Sequence, residues 1–219
     1  MTVNCIWEHN GGDTLLHIEG FFGAFTRGPD LEAAIEKVAS EISDYCKWSD
    51  TAPPDSIEIN IIQEQSSELD IRDADSDVLF ESEKAPLTVN EYEKLKALCL
   101  KSARDFKELY DSIPNKDRTN LPERKTFYGD VPRTANEMYM HTKNVNEYYF
   151  GEIGVDADND GDIFDCRARA FAALEKTPDY LKNKIYDGSY GEKWTLRKVL
   201  RRFIWHDRIH ARAMRKLKH

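Results

Sequence analysis

The chain is sparing with the residues that mark secreted, membrane-spanning or nucleic-acid-binding proteins. Only four of its 219 residues are cysteine. Cys5, Cys46, Cys99 and Cys166 are widely scattered and make no C-x-x-C step, so a disulfide framework is not expected. No apolar run approaches the ~20 residues needed to span a bilayer. The start, Met1-Thr2-Val3-Asn4-Cys5-Ile6-Trp7-Glu8, lacks the basic and then apolar regions of a secretory signal. The expectation is a cytoplasmic protein with reduced thiols and no membrane contact. An excess of positive charge is missing too. A net charge of −9 argues against a general nucleic-acid binder, which needs cations to displace counterions.

What charge there is falls unevenly. Gln63 to Pro86 holds eight acidic residues against two basic ones, and Trp194 to His219 holds nine Lys/Arg against Asp207 alone. The last stretch is expected to be a helix with a basic, solvated outer face, its cations placed favourably near the C-terminus.

The first part of the chain alternates with a period of two. Val3–Glu8, Thr14–Glu19 and Ser56–Gln63 read as strands, the last closing on Ile61-Ile62. Gly20, Gly23 and Gly28 punctuate the stretch after the second strand. Pro29 and Asp30 then introduce a helix carrying Leu31, Ala34, Ile35, Val38, Ile42 and Tyr45 at helical spacing. The order β-β-α-β predicts an α+β domain over residues 1–84, with its helix across an antiparallel sheet. The acidic stretch Ser66–Pro86, with Val78-Leu79-Phe80, is expected to add an edge strand and a linker.

The run Asp13-Thr14-Leu15-Leu16-His17-Ile18-Glu19-Gly20 through Gly28, followed by Leu31-Glu32-Ala33-Ala34, resembles the HicB-like fold. That family passes from a strand through a glycine turn into an "L-E-E-A" helix. Many of its members are antitoxins, but no ribbon-helix-helix or helix-turn-helix segment is present. The resemblance therefore implies an accessory or dimerising domain.

Residues 85–219 change to a helical period. Tyr92, Leu95, Cys99, Ser102, Phe106 and Leu109 predict a helix over about Thr88–Ser112, with Thr88 and Glu91 as a capping box. Met138, His141, Val145 and Tyr148 give a second from Thr134. Phe164, Ala168, Phe171 and Leu174 give a third over Ile163–Glu175. Leu196, Val199, Phe203, His206, His210, Ala213 and Leu217 give the last, Thr195–Leu217. Four helices predict an all-α four-helix bundle.

Three histidines fall on inward stripes of that bundle. His206 and His210 are four apart, so both imidazoles share one helical face and can reach one ion. His141 lies in core phase on the second helix. Three nitrogen ligands leave a coordination position open for water or substrate, the arrangement of a catalytic zinc-like site. Imidazole suits zinc, nickel, iron and copper, so the spacing leaves the metal unnamed.

The signature Trp194-Thr195-Leu196-Arg197-Lys198-Val199-Leu200, followed by His206-Asp207-Arg208-Ile209-His210, looks like the DinB/YfiT-like superfamily of metal-binding four-helix bundles. His141, His206 and His210 match its three ligand positions, which implies a divalent transition metal, zinc or nickel foremost and then iron. Asp207 stands where a glutamate often follows the first histidine of the pair, and could orient a ligand as a shorter carboxylate. Characterised relatives include thiol S-transferases and a thiol-dependent isomerase. The resemblance thus implies an enzyme using a low-molecular-weight thiol on a small-molecule substrate, and a homodimer. The alternative is a non-catalytic regulatory or protein-binding module with a structural or vestigial metal. Tyr148, Tyr149, Trp205, Arg201 and Arg202 are the residues near enough in sequence to support a site.

Asp156-Ala157-Asp158-Asn159-Asp160-Gly161-Asp162-Ile163 starts like an EF-hand loop. Its twelfth position, where a bidentate carboxylate belongs, is Arg167. The expectation is a solvated acidic loop, with calcium binding left open through Asp165.

Overall fold

The computed structural model describes residues 1–69, 76–126 and 129–217, and the chain divides into two compact units, Met1–Ser82 and Glu83–His219. In the first, β1 (Thr2–His9), β2 (Thr14–Ile18), β3 (Phe25–Gly28) and β4 (Glu58–Ser66) form one sheet in the order β3-β2-β1-β4. The unit is α+β, with two departures from the pattern read in the sequence. The glycine-rich stretch hides a strand. Gly20 and Gly23 adopt φ of +82° and +78°, which turn the chain so that Phe25–Gly28 pairs back on β2. The sheet is also mixed, because β4 runs parallel to β1. A helical crossover after β3, α1 (Leu31–Ile35) and α2 (Val38–Trp48), returns the chain to the end where β1 begins.

Asp30 caps α1 by accepting from the Ala33 amide at 2.9 Å. The single helix expected here breaks at Glu36–Lys37. There the Lys37 amide bonds back only three residues to Ala34 (3.2 Å), and the Lys37 ammonium donates to the Arg27 carbonyl at 2.6 Å. Both helices lie on one face of the sheet, where Ala34, Val38, Ile42, Tyr45 and Cys46 pack against Val3, Cys5, Leu16 and Ile18. The doubled isoleucine of β4 is a bulge. Cys5 pairs with Ile61 and Ile6 with Gln63, so Ile62 is the extra residue and is 47% exposed.

On the other face Ile6 packs with Val78 and Phe80. The expected edge strand is not formed at 76–80. Instead the Gln63 side chain accepts from the Glu81 amide (2.9 Å) and donates to the Leu79 carbonyl (3.0 Å), standing in for a strand partner. Residues 70–75 of that expectation lie outside the described residues.

The second unit is helical. It contains α3 (Val89–Asp111), α4 (Ala135–Gly151), α5 (Ile163–Leu174) and α6 (Leu196–Met214). Thr88 with Glu91 and Thr134 with Glu137 form capping boxes, and Asp162 and Thr195 cap α5 and α6. Helices α3 and α4 each pack on both α5 and α6. Two short hairpins accompany them: β5 (Lys125–Thr126) with β6 (Gly129–Asp130), and β7 (Tyr186–Asp187) with β8 (Lys193–Trp194). Among the described residues no helix is long and apolar enough to cross a membrane.

Three inward faces differ from the stripes read in the sequence. On α4 the buried residues are Met138, Tyr139, Thr142, Lys143, Asn146, Tyr149 and Phe150, which leaves His141 and Tyr148 at the rim. Polar residues can turn inward here because backbone acceptors meet them. The Asn146 amide donates to the carbonyls of Asp158 (2.8 Å) and Cys166 (3.4 Å). On α5 it is Arg167 that is buried, not Ala168. On α6 the basic residues divide: Lys198, Arg201 and Arg202 are buried, whereas Arg208 and Arg212 are half-buried and Arg215 and Lys216, just past its end, are exposed as expected. Carboxylates explain two of the buried ones, since Arg201 pairs with Glu83 and Lys198 with Glu192 at 2.8 Å.

Candidate metal centre

Helices α4 and α6 run antiparallel and bring their histidines to one point. His141 meets His206 and His210, while Tyr149, two turns further along α4, meets Phe203 and Trp194 at the start of α6. Nε2 of His206 lies 3.1 Å from Nε2 of His141 and 3.2 Å from Nε2 of His210. One nitrogen from each of the three fits within 4.8 Å of the others. Nitrogens ~2.05 Å from a tetrahedral ion stand about 3.3 Å apart, so the two spacings at His206 suit a single small divalent cation. His141 and His210, whose limit is 4.8 Å, have to draw together on it.

The protonation state suits it as well. Burial pushes all three imidazoles toward the neutral form, His210 to about 3 and His206 well below its usual value. The neighbouring imidazoles add to this, and at His206 so do the Arg202 and Arg167 charges. Neutral imidazole is the ligating form, so no proton has to be expelled at neutral pH. His206 is buried, His210 half-buried and His141 exposed, which opens the cluster on the His141 side.

The sequence-named residues divide sharply around this cluster. His141, His206 and His210 come together, and the Tyr149 ring stands edge-on to His206 with centroids 6.1 Å apart. Arg202 is ringed by Trp205, Tyr149 and Trp194 at 4.7, 5.6 and 5.7 Å. Tyr148 reaches the Trp194 ring, and Trp205 is buried beside Arg202. Arg201 points elsewhere, to Glu83. Asp207 does not orient a histidine. Neighbouring residues on a helix point about 100° apart, and its carboxylate turns to Arg167, which donates to its two oxygens at 2.6 and 3.1 Å.

Arg167 was not legible as a core residue. Its guanidinium also donates to the Cys99 carbonyl at 3.3 Å and sits 4.2 Å from the centre of the Phe203 ring, tying α3, α5 and α6 together. Trp194 was likewise missed as a wall of the site. It lies in β8, ahead of the α6 cap at Thr195, where no helical spacing relates it to the histidines.

The acidic loop carries its own cations. The Arg169 guanidinium binds the Asp158 carboxylate and, at 2.7 Å, the Asp160 carbonyl, while the Lys143 ammonium binds the Asn159 carbonyl. Asp162 is spent on the α5 cap, accepting from Phe164 and Asp165 at 2.9 Å each. The Arg169 pairing holds the Asp158 carboxyl below its usual range. With Arg167 in the core, two oxygens of an EF-hand are lost and two cations stand among the rest. Millimolar calcium is therefore expected to leave the melting temperature unchanged. A rise of several degrees, abolished by Asp158→Asn, would contradict that assignment of the loop.

No protein-family model, curated protein or solved structure matches this chain.

Proposed function

We propose that the chain is a metal-dependent enzyme built on a DinB-like four-helix bundle, with a HicB-like domain as its accessory unit, and that its chemistry is thiol S-transfer to a small electrophile. One observation carries the reading: three neutral imidazole nitrogens converge with no fourth His, Cys, Asp or Glu beside them among the described residues. Such a set holds an ion and leaves room for a substrate atom, whereas a structural site closes with a fourth protein ligand. His141, His206 and His210 would hold a divalent transition metal, for which zinc and nickel are the first candidates. When bound, that ion supplies Lewis acidity that keeps a thiol ionised at neutral pH.

The remaining residues shape the pocket. Tyr149 packs its ring on His206 and keeps water from the inner side of the cluster. The Arg167–Asp207 pair fixes the turn of α6 that carries His206. The rim at His141 gives access.

The test is thiol consumption by metal-loaded protein in the presence of an epoxide or aryl halide. Turnover that needs the metal and disappears in His206→Ala is expected. Equal rates with and without metal across both electrophile classes would contradict the assignment.

A further inference from the structure

The sheet of the first unit has two edges, and they are not alike. One is β3, only four residues long, where the Lys37 ammonium already takes the Arg27 carbonyl. The other is β4, nine residues long, which among the described strands pairs with β1 alone. Proteins commonly guard a long edge with Lys or Pro, and Ser56–Ser66 contains neither. The Glu58 amide donates to the Met1 carbonyl at 3.0 Å, toward β1. Alternation along the strand therefore turns the backbone N–H and C=O groups of Ile57, Ile59 and Ile61 outward. The side chains of these three form a row that is only half-buried, at the margin of the core that holds Val3 and Cys5. Glu58 and Asn60, which alternate with them, are exposed.

We infer that β4 pairs with β4 of a second copy of this chain, antiparallel about a two-fold axis at Ile59, so that the two sheets join into one. In this register Ile59 faces the partner's Ile59, and Ile57 faces the partner's Ile61. The outward backbone groups then meet as hydrogen-bonded pairs, and the two isoleucine rows complete each other's burial. Charge selects the same register. Glu58 falls opposite the partner's Asn60, an amide in place of a second carboxylate. An axis at Ile61 would instead set Glu58 against the partner's Glu64, and one at Asn60 would draw the bulge residue Ile62 into the ladder. With the axis at Ile59 the bulge ends the pairing, and beyond it Gln63 is turned to Leu79 and Glu81. A segment that matches itself in shape and charge is what a two-fold interface requires. The inference is independent of the metal centre, since each copy brings its own three histidines.

The test is the mass of the full chain in solution, by sedimentation velocity across a dilution series, with position 60 as the probe. Asn60 is exposed and its side chain donates to Asn4 at 3.2 Å, so changes there spare the core. The wild type is expected to be a dimer that dissociates on dilution. Asn60→Glu places like charges opposite each other on both sides of the axis and is expected to weaken the dimer about tenfold. Asn60→Lys places opposite charges there and is expected to tighten it severalfold. Glu58→Lys combined with Asn60→Glu restores the attraction and the dimer. Ile59→Pro removes an outward N–H at the axis, a position where an edge strand tolerates proline, and is expected to be monomeric. Circular dichroism checks that each variant folds, and the changes at position 60 decide the matter if the proline variant does not. A wild type that stays monomeric at about 100 µM overturns the inference. So does a dimer that Asn60→Glu leaves intact, which would lie on another surface, or one that Asn60→Glu and Asn60→Lys weaken alike.

Discussion

Replacing Arg167 by alanine is expected to destabilise the helical unit by about 3–5 kcal/mol, the cost of leaving one half of a buried ion pair behind. For a unit of this size that lowers the melting temperature by about 10 °C or more. The reasoning is local. Arg167 and Asp207 are both almost wholly buried, and Asp207 receives two hydrogen bonds from the guanidinium. Alanine strands the carboxylate, opens a cavity beside Phe203 and removes the donor to the Cys99 carbonyl. The double replacement Arg167→Met with Asp207→Leu is expected to recover much of the loss, because an apolar pair avoids desolvating two charges. Thermal unfolding followed by circular dichroism measures both variants. A single variant that loses less than about 1 kcal/mol would show that the pair is not the buried tie described.

The second large effect falls on metal affinity. Changes to residues that merely orient metal ligands weaken binding by about 10- to 100-fold, so removing a ligand has to cost more. His206→Ala is therefore expected to raise the zinc dissociation constant by more than about 100-fold. His206 is the central member, with both other imidazoles within 3.2 Å of its Nε2. The same loss appears in stability. Zinc at about 1,000 times its dissociation constant adds about 4 kcal/mol to the wild type, and the variant at that zinc concentration gains little. Titration calorimetry and melting curves with and without zinc give two independent readings. A variant that keeps its zinc-induced stabilisation would place the ion elsewhere in the chain.

How far the sequence foretold these features depends on what kind of signal each one carries. The histidine pair was legible because a spacing of four fixes two side chains on one helical face whatever surrounds them. The capping box at Thr88 is similarly local and caps α3 in the structure. The phase of α4 was not legible. Its inward face is held by Asn146 and Lys143 bonding to the carbonyls of a loop more than ten residues away, and no periodicity of apolar residues reports such acceptors. Arg167 was hidden for the same reason. A charged residue reads as surface until its partner is known, and Asp207 lies forty positions on. In the first unit the parallel pairing of β4 with β1 depends on the path of the chain through α1 and α2, which strand patterns do not encode. The bulge at Ile62 did leave a trace, two adjacent isoleucines where alternation demanded one.

The central claim is that His141, His206 and His210 bind one transition-metal ion. Elemental analysis by mass spectrometry of the full chain, prepared without a histidine tag, tests it most directly. The His206→Ala/His210→Ala double variant is the control. The account predicts about one equivalent of zinc, nickel or iron per chain in the wild type, as isolated or after reconstitution, and close to none in the double variant. A wild-type chain that stays empty after reconstitution with all three metals would contradict it and leave the three imidazoles as a neutral core cluster.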